Sequence, residues 1–301
     1  MLVSTAFDAG LLGLVGLLIG SFLNVVIHRL PMMIEAQERR ACAELAGETL
    51  PAGEPFNLSV PRSRCPACGH AITWRENIPV LSYLVLKGRC SACSTRISPR
   101  YPLVELVTGA LFLYCGLRWG ATPVALGWSG FCACLVALTL IDWDTTLLPD
   151  DLTLPLVWCG LLLATLGWTG TGPADAVWGA AAGYVSLWLV NASFKWVKGE
   201  SHPAYPIWDV SWWLHRHSTG QDGMGYGDFK LYAALGAWFG WQGLIPIILM
   251  AAVLGSVVGI ALKFSNGLRE GGYVPFGPFL AGAGLTALMA GPAAMLRAIG
   301  L

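Results

Sequence analysis

Long apolar runs, separated by short polar links, occupy most of the chain. They cover residues 10–27, 103–117, 123–141, 152–168, 174–194, 229–239, 244–262 and 276–298. Most approach the ~20 residues needed to cross ~30 Å of hydrocarbon. The runs are continuous rather than alternating, so they predict helices that satisfy their own backbone polar groups, not barrel strands. Run 229–239 is short and interrupted by glycine, which gives seven or eight spans with eight the favoured count. The first run has no basic residue ahead of it and no small-residue cleavage site after it, so it reads as a retained span rather than a cleaved signal.

Composition agrees with that pattern. Hydrophobic residues make up 55% and charged residues 12%, against roughly 45–50% and 25% in soluble domains. A soluble globular enzyme is excluded. With 18 basic and 18 acidic residues, the charge balance argues against a nucleic-acid binder.

The distribution of Lys and Arg assigns sides. Ten of the 18 lie between Arg29 and Arg100. If that segment is cytoplasmic, Lys195, Lys198, Arg216, Lys230, Lys263 and Arg269 share its side, and only Arg118 and Arg297 fall outside. The split obeys the positive-inside rule and puts the amino terminus outside. The expected architecture is an all-α polytopic membrane protein of about eight transmembrane helices, with a small cytoplasmic domain between the first and second. The expected divisions are residues 1–29, 30–102 and 103–301, with a polar, Trp-rich cytoplasmic insertion near 197–222.

Within the first cytoplasmic segment, Cys65-Pro-Ala-Cys68 and Cys90-Ser-Ala-Cys93 form two Cys-x-x-Cys pairs. Each pair makes a knuckle that aims two thiolates at one ion, and two knuckles complete a tetrahedral S₄ site suited to zinc. Disulfides conflict with the cytoplasmic assignment. A closed S₄ site is structural, since a catalytic zinc keeps one position open. Arg64, Arg89 and Arg96 stand where they offset the negative charge of such a site.

Acidic residues beside membrane spans are costly and call for a function. Asp142, Asp144, Asp150 and Asp151 cluster at the cytoplasmic end of the third run, and Asp228 follows Gly223, Gly225 and Gly227 at the start of a later one. Carboxylates facing each other from separate helices have the chemistry of an aspartic protease: one activates water while the other delivers a proton. Asp144, Asp150 and Asp151 fit the plainer role of turn and cap residues. Spacing does not show that Asp142 and Asp228 meet.

Taken together, these residues resemble the type IV prepilin peptidase family. The resemblance runs through Gly20-Ser-Phe-Leu-Asn24 to Arg29-Leu-Pro31, both cysteine pairs, Ser98-Pro-Arg-Tyr-Pro-Leu-Val-Glu105, Asp142 seven residues before Pro149, Gly225-Tyr-Gly227-Asp228 and Pro275-Phe-Gly-Pro278. It implies Asp142 and Asp228 as the catalytic pair, and proteolysis of type IV prepilins and type II secretion pseudopilins at the inner-membrane face. It further implies N-methylation of the new amino terminus with S-adenosylmethionine as methyl donor. Glu105 matches the family as well and is a candidate for binding the cofactor's cation or the leader's basic residues. The 198–219 stretch is an insertion relative to the family; its His215 and His217 are read as part of an interfacial loop, and it bears on substrate choice. The rival readings are a proton- or cation-coupled transporter using the same aspartates, and a methyltransferase without protease activity. The absence of paired repeats argues against the first.

Overall fold

The apolar runs and their flanks fold as helices. The structure, a computed structural model, describes residues 2–47, 55–198, 225–265 and 274–298. From residue 199 on, the predicted insertion, with its Trp, His215 and His217, lies outside the described residues, as do Gly223 and Arg269. The helices are α1 (Leu2–Leu45), α2 (Leu81–Val85), α3 (Arg100–Trp119), α4 (Pro123–Thr145), α5 (Asp150–Thr165), α6 (Pro173–Lys198), α7 (Tyr226–Phe264), α8 (Gly277–Ala290) and α9 (Pro292–Ala298). Among the described residues the only β pairing is two isolated bridges.

Among the described residues, three helical stretches are long and apolar enough to cross a membrane: Ala6–Leu45, Pro123–Thr145 and Tyr226–Phe264. The bent pair α8 and α9 adds a fourth when counted as one span. The chain is therefore a helical integral membrane protein.

Three features depart from a simple run-to-helix translation. First, α1 continues past Arg29 and through Pro31 to Leu45. Its extension is rich in Glu, Ala, Gln, Arg and Leu, which favour helix without favouring lipid. Second, α7 joins two of the predicted runs and breaks at Gly240, whose φ of 73° suits glycine alone. Thr171 caps the break by donating to the Trp238 carbonyl at 3.0 Å. Third, the run at 276–298 is not one straight helix. It turns by 103° between α8 and α9, at Gly291 with φ 82°, ahead of a proline that starts a new helix.

The chain divides into two units, one of residues 1–33 and 52–141 and the other of residues 34–51 and 142–301. In the first, α1 and α3 meet backbone to backbone: a Cβ on Gly20 would lie 2.7 Å from the Glu105 Cα. Cys115, Cys132, Leu135 and Leu138 are fully buried there, and Trp119 stacks on Trp128 with centroids 5.8 Å apart. In the second, α7 packs against α5, α6 and α8. Gly179 of α6 and Gly236 of α7 touch so closely that a Cβ on either would fall 2.2 Å from the other's carbonyl oxygen. Small residues permit such backbone contact, which is how helices associate where lipid removes the hydrophobic driving force. Trp238 is locked beside this seam by donating from Nε1 to the Leu156 carbonyl at 2.9 Å.

Candidate functional site

The second unit brings the two sequence-predicted aspartates into one buried region. Asp142 lies in the last full turn of α4. That helix ends where Thr146, with φ 58°, donates its N–H to the Asp142 carbonyl at 2.8 Å. Asp228 lies in the first turn of α7, its N–H bonded to the Gly225 carbonyl at 3.1 Å, where the helix dipole favours an anion. Asp142 is 4% exposed and Asp228 3%, whereas Asp144 and Asp151 are exposed.

Leu148 ties the three segments of the site together. A Cβ on Gly227 would fall 2.4 Å from the Leu148 Cβ, and one on Gly277 would fall 3.1 Å from its Cδ1. The same Cβ on Gly277 would lie 2.5 Å from Asp142 Oδ2, so only glycine fits against that carboxylate. The ends of α4, α7 and α8 thus converge on Leu148. Asp228 Oδ1 is buried without a hydrogen-bond partner among the described residues. A buried carboxylate oxygen left without a donor is costly, and such groups concentrate where chemistry needs them.

Cationic and aromatic residues cluster about the start of α7, next to Asp228 in sequence. Lys230, one residue past Phe229, donates to both oxygens of Asp150 at 2.5 and 2.7 Å. Asp150 therefore does more than start α5; it ties the first turns of α5 and α7. Buried Lys195 of α6 lies 5.9 Å from the Tyr226 ring centroid, and Tyr226 and Tyr184 both pack edge-on against Phe229.

The first unit carries the cysteines. The Sγ atoms of Cys65, Cys68, Cys90 and Cys93 all lie within 4.8 Å of one another, and Cys65 and Cys93 are 3.8 Å apart. A tetrahedral ion with bonds of ~2.3 Å to sulfur sets S···S separations of about 3.8 Å, so the donor set fits zinc. The knuckles are built alike. In each, the backbone N–H of the first cysteine bonds to a carbonyl five residues on, His70 or Thr95, at 2.9 Å. In each, the residue after the second cysteine is left-handed: Gly69 with φ 73° and Ser94 with φ 58°.

Four thiols this close cannot all ionise without a cation. Thr95 holds the Cys93 thiol down to about 6. Cys68, despite the His70 backbone N–H that favours its thiolate, is pushed up to about 12 by neighbouring Cys93. A divalent ion removes that conflict. Glu76 joins the knuckles from outside: it accepts from Ser91 of the second and lies 3.2 Å from the His70 ring that follows the first. Bonds from Ser91 and from Thr73 hold its carboxyl at about 2.

Glu105, the candidate cofactor residue, is buried on α3. Its Oε2 accepts the backbone N–H of Val80 at 2.8 Å, fixing a non-glycine residue at φ 58°. Arg29, also buried, clamps the incoming strap by donating to the Asn57 carbonyl at 2.9 Å and the Pro61 carbonyl at 2.6 Å.

Residues 14–119 match the bacterial peptidase A24 N-terminal domain, and residues 129–260 match the type IV leader peptidase family. A prepilin leader peptidase/N-methyltransferase of Stutzerimonas stutzeri is 46% identical over 283 residues, covering 92% of this chain and 88% of the relative. The chain belongs to the type IV leader peptidase family. Proteins of the same name from Pseudomonas putida, at 46% identity over 95% of this chain and 92% of theirs, and Aeromonas hydrophila, at 47% over 92% and 89%, are similarly close. No solved structure matches the chain. The N-terminal match takes in all four cysteines, Arg29 and Glu105, and the peptidase match takes in Asp142 and Asp228.

Several residues of the site were not singled out by sequence. Gly277 and Lys230 sit inside or beside quoted motifs, but nothing local marks one as the neighbour of Asp142 or the other as the partner of Asp150. Glu76 has no sequence signal at all.

Proposed function

We propose that Asp142 and Asp228 are the catalytic acids of a membrane peptidase that removes the leader of type IV prepilins and type II secretion pseudopilins. One buried carboxylate takes a proton from the attacking water, while the other, protonated, stabilises the forming tetrahedral oxygen and then protonates the leaving amine. The observation that carries this reading is the burial of both groups in one unit, where Gly227 beside Asp228 and Gly277 beside Asp142 both close on Leu148. Family membership supports the same assignment. Gly277 leaves room for Asp142, and the Lys230–Asp150 pair fixes the start of α7.

The chain is, in the same reading, an N-methyltransferase for the newly exposed amino terminus, with S-adenosylmethionine supplying the methyl group. Cys65, Cys68, Cys90 and Cys93 hold a structural zinc that orders the domain at 30–102. Glu105 keeps the Val80 loop in place with one oxygen, leaving the other to meet the cofactor's cation. We place the protein in the inner membrane with about eight crossings: α1, α3, α4, α5, α6, both arms of α7, and α8. Residues 103–301 form the peptidase portion. The cysteine domain and the aspartates then face the cytoplasm, as the Lys and Arg distribution supports.

The test is a co-expressed prepilin followed by mass spectrometry. Asp142→Asn and Asp228→Asn each leave the leader attached while the protein remains membrane-inserted. Full processing by either variant would refute the pair.

A further inference from the structure

The second knuckle borders an open cavity of about 590 Å³ lined by Tyr83, Lys87, Arg89, Arg96 and Ser98 among others, with no acidic residue. Arg89 and Arg96 face each other directly in an antiparallel bridge, an arrangement in which like charges destabilise the pairing. At the equivalent bridge of the first knuckle, Arg64 faces Ala71. The two knuckles share a backbone plan, so the added cation is a property of this side alone. Among the described residues neither arginine nor Lys87 has an ion-pair partner.

The cavity is also built rather than incidental. Lys87 is held at φ 52°, a costly conformation for a side-chain-bearing residue. Gly88 behind it is buried beneath the Tyr83 ring, 2.9 Å from where a Cβ would stand. Its carbonyl accepts from Ile97 at 2.8 Å, which pins the two sides of the loop. Ser98 and Pro99 at its rim lead directly into α3, whose helix N-terminus adds positive potential. On α3, Leu103, Leu106 and Val107 are exposed, as suits a surface in contact with lipid.

We propose that Lys87, Arg89 and Arg96 form a binding site for a phosphate group, supplied by the headgroup of an anionic phospholipid. Charge separates this site from the reactants of the proposed function, because a basic leader and a cationic methyl donor are both repelled by three cations that have no carboxylate partner among the described residues. The inference rests on the reading of α3 as a membrane span. Labelling of single cysteines placed at the two ends of α3 by a membrane-impermeant reagent, from each side in turn, tests that reading independently.

The test uses the full-length zinc-loaded protein in nanodiscs of phosphatidylcholine with graded phosphatidylglycerol, reading bound phosphatidylglycerol by native mass spectrometry. The variant Lys87→Asn/Arg89→Gln/Arg96→Gln lowers its affinity, roughly fivefold for each charge removed. The charge-keeping Arg89→Lys/Arg96→Lys holds the affinity near wild type. Removing three cations elsewhere, Arg39→Gln/Arg40→Gln/Lys263→Gln, leaves it unchanged. Inorganic phosphate titrated into the phosphatidylglycerol-containing discs separates the sources. Displacement of the lipid by millimolar phosphate supports the site and names free phosphate as an occupant, while no displacement supports the lipid. Equal losses in the two charge-removal variants would overturn the proposal, as would unchanged affinity in the first. So would loss of zinc alongside lipid, which assigns the cations to the thiolate cluster.

Discussion

Among residues 55–99 only Cys65 and Gly88 are buried, so this stretch has almost no apolar core and is held by turns, side-chain ties and thiols that converge on one point. Around Asp142 and Asp228 the reverse holds: helices meet through glycines, large side chains such as Trp238 and Phe229 are fully buried, and the polar groups are few. A small domain without a core depends on an ion for its fold. The helical region depends on clearance, because at Gly277 or Gly236 a single methyl group has nowhere to go. The comparison implies that the two regions fail in different ways.

The largest expected effect is on the cysteine side. Structural zinc contributes about 10–16 kcal/mol of folding free energy in small zinc domains, so chelation, or Cys65→Ser, unfolds residues 55–99. The expected readings are loss of bound zinc and new proteolytic sites within that stretch, with methyl transfer lost and the helical region still resistant to protease. Next come Asp142→Asn and Asp228→Asn, which lower leader cleavage by about 10²–10⁴-fold, the range for losing a positioned proton donor or acceptor. Zinc content stays unchanged in both.

A finer cut uses the clearance itself. Gly277→Ala drives a methyl group against Asp142 and lowers kcat by roughly 10²-fold, the scale for an ångström-sized displacement of a reacting group. Gly282→Ala on the same helix meets nothing within 4 Å and serves as the control with unchanged turnover. Smaller again is the Lys230–Asp150 pair, partly buried with side chains 19% and 33% exposed. Lys230→Met costs about 1–2 kcal/mol of stability, with Asp150→Leu recovering part of it in the double variant, as a thermal double-mutant cycle will read. The smallest is Glu35→Ala. Its ion pair with Arg39 is exposed on both sides, and the melting temperature should move by the equivalent of less than about 0.5 kcal/mol.

The cysteine cluster was legible because its ligands are local: two knuckles declare themselves by spacing, and only their meeting had to be inferred. Asp142 and Asp228 were legible as candidates because charge beside a span is expensive, yet their burial at converging helix ends depends on long-range packing that no local spacing carries. The Lys230–Asp150 pair was hidden for the same reason. Gly240 was hidden differently, as one of 37 glycines with nothing in its neighbours to announce a helix break. The extension of α1 was hidden because apolarity does not mark it, and residues 34–45 form helix through propensity alone.

The seam of Gly179 and Gly236 has a consequence beyond its own contact. Gly236 lies eight residues along α7 from Asp228, about 12 Å by helical rise, so it acts as a ruler for the carboxylate's height. A slip of one residue either way along the axis would push an isobutyl or a methyl group into a gap that admits neither, since Leu235 and Ala237 flank Gly236. Two atoms of hydrogen, remote from any reactive group, set the depth at which the acid sits.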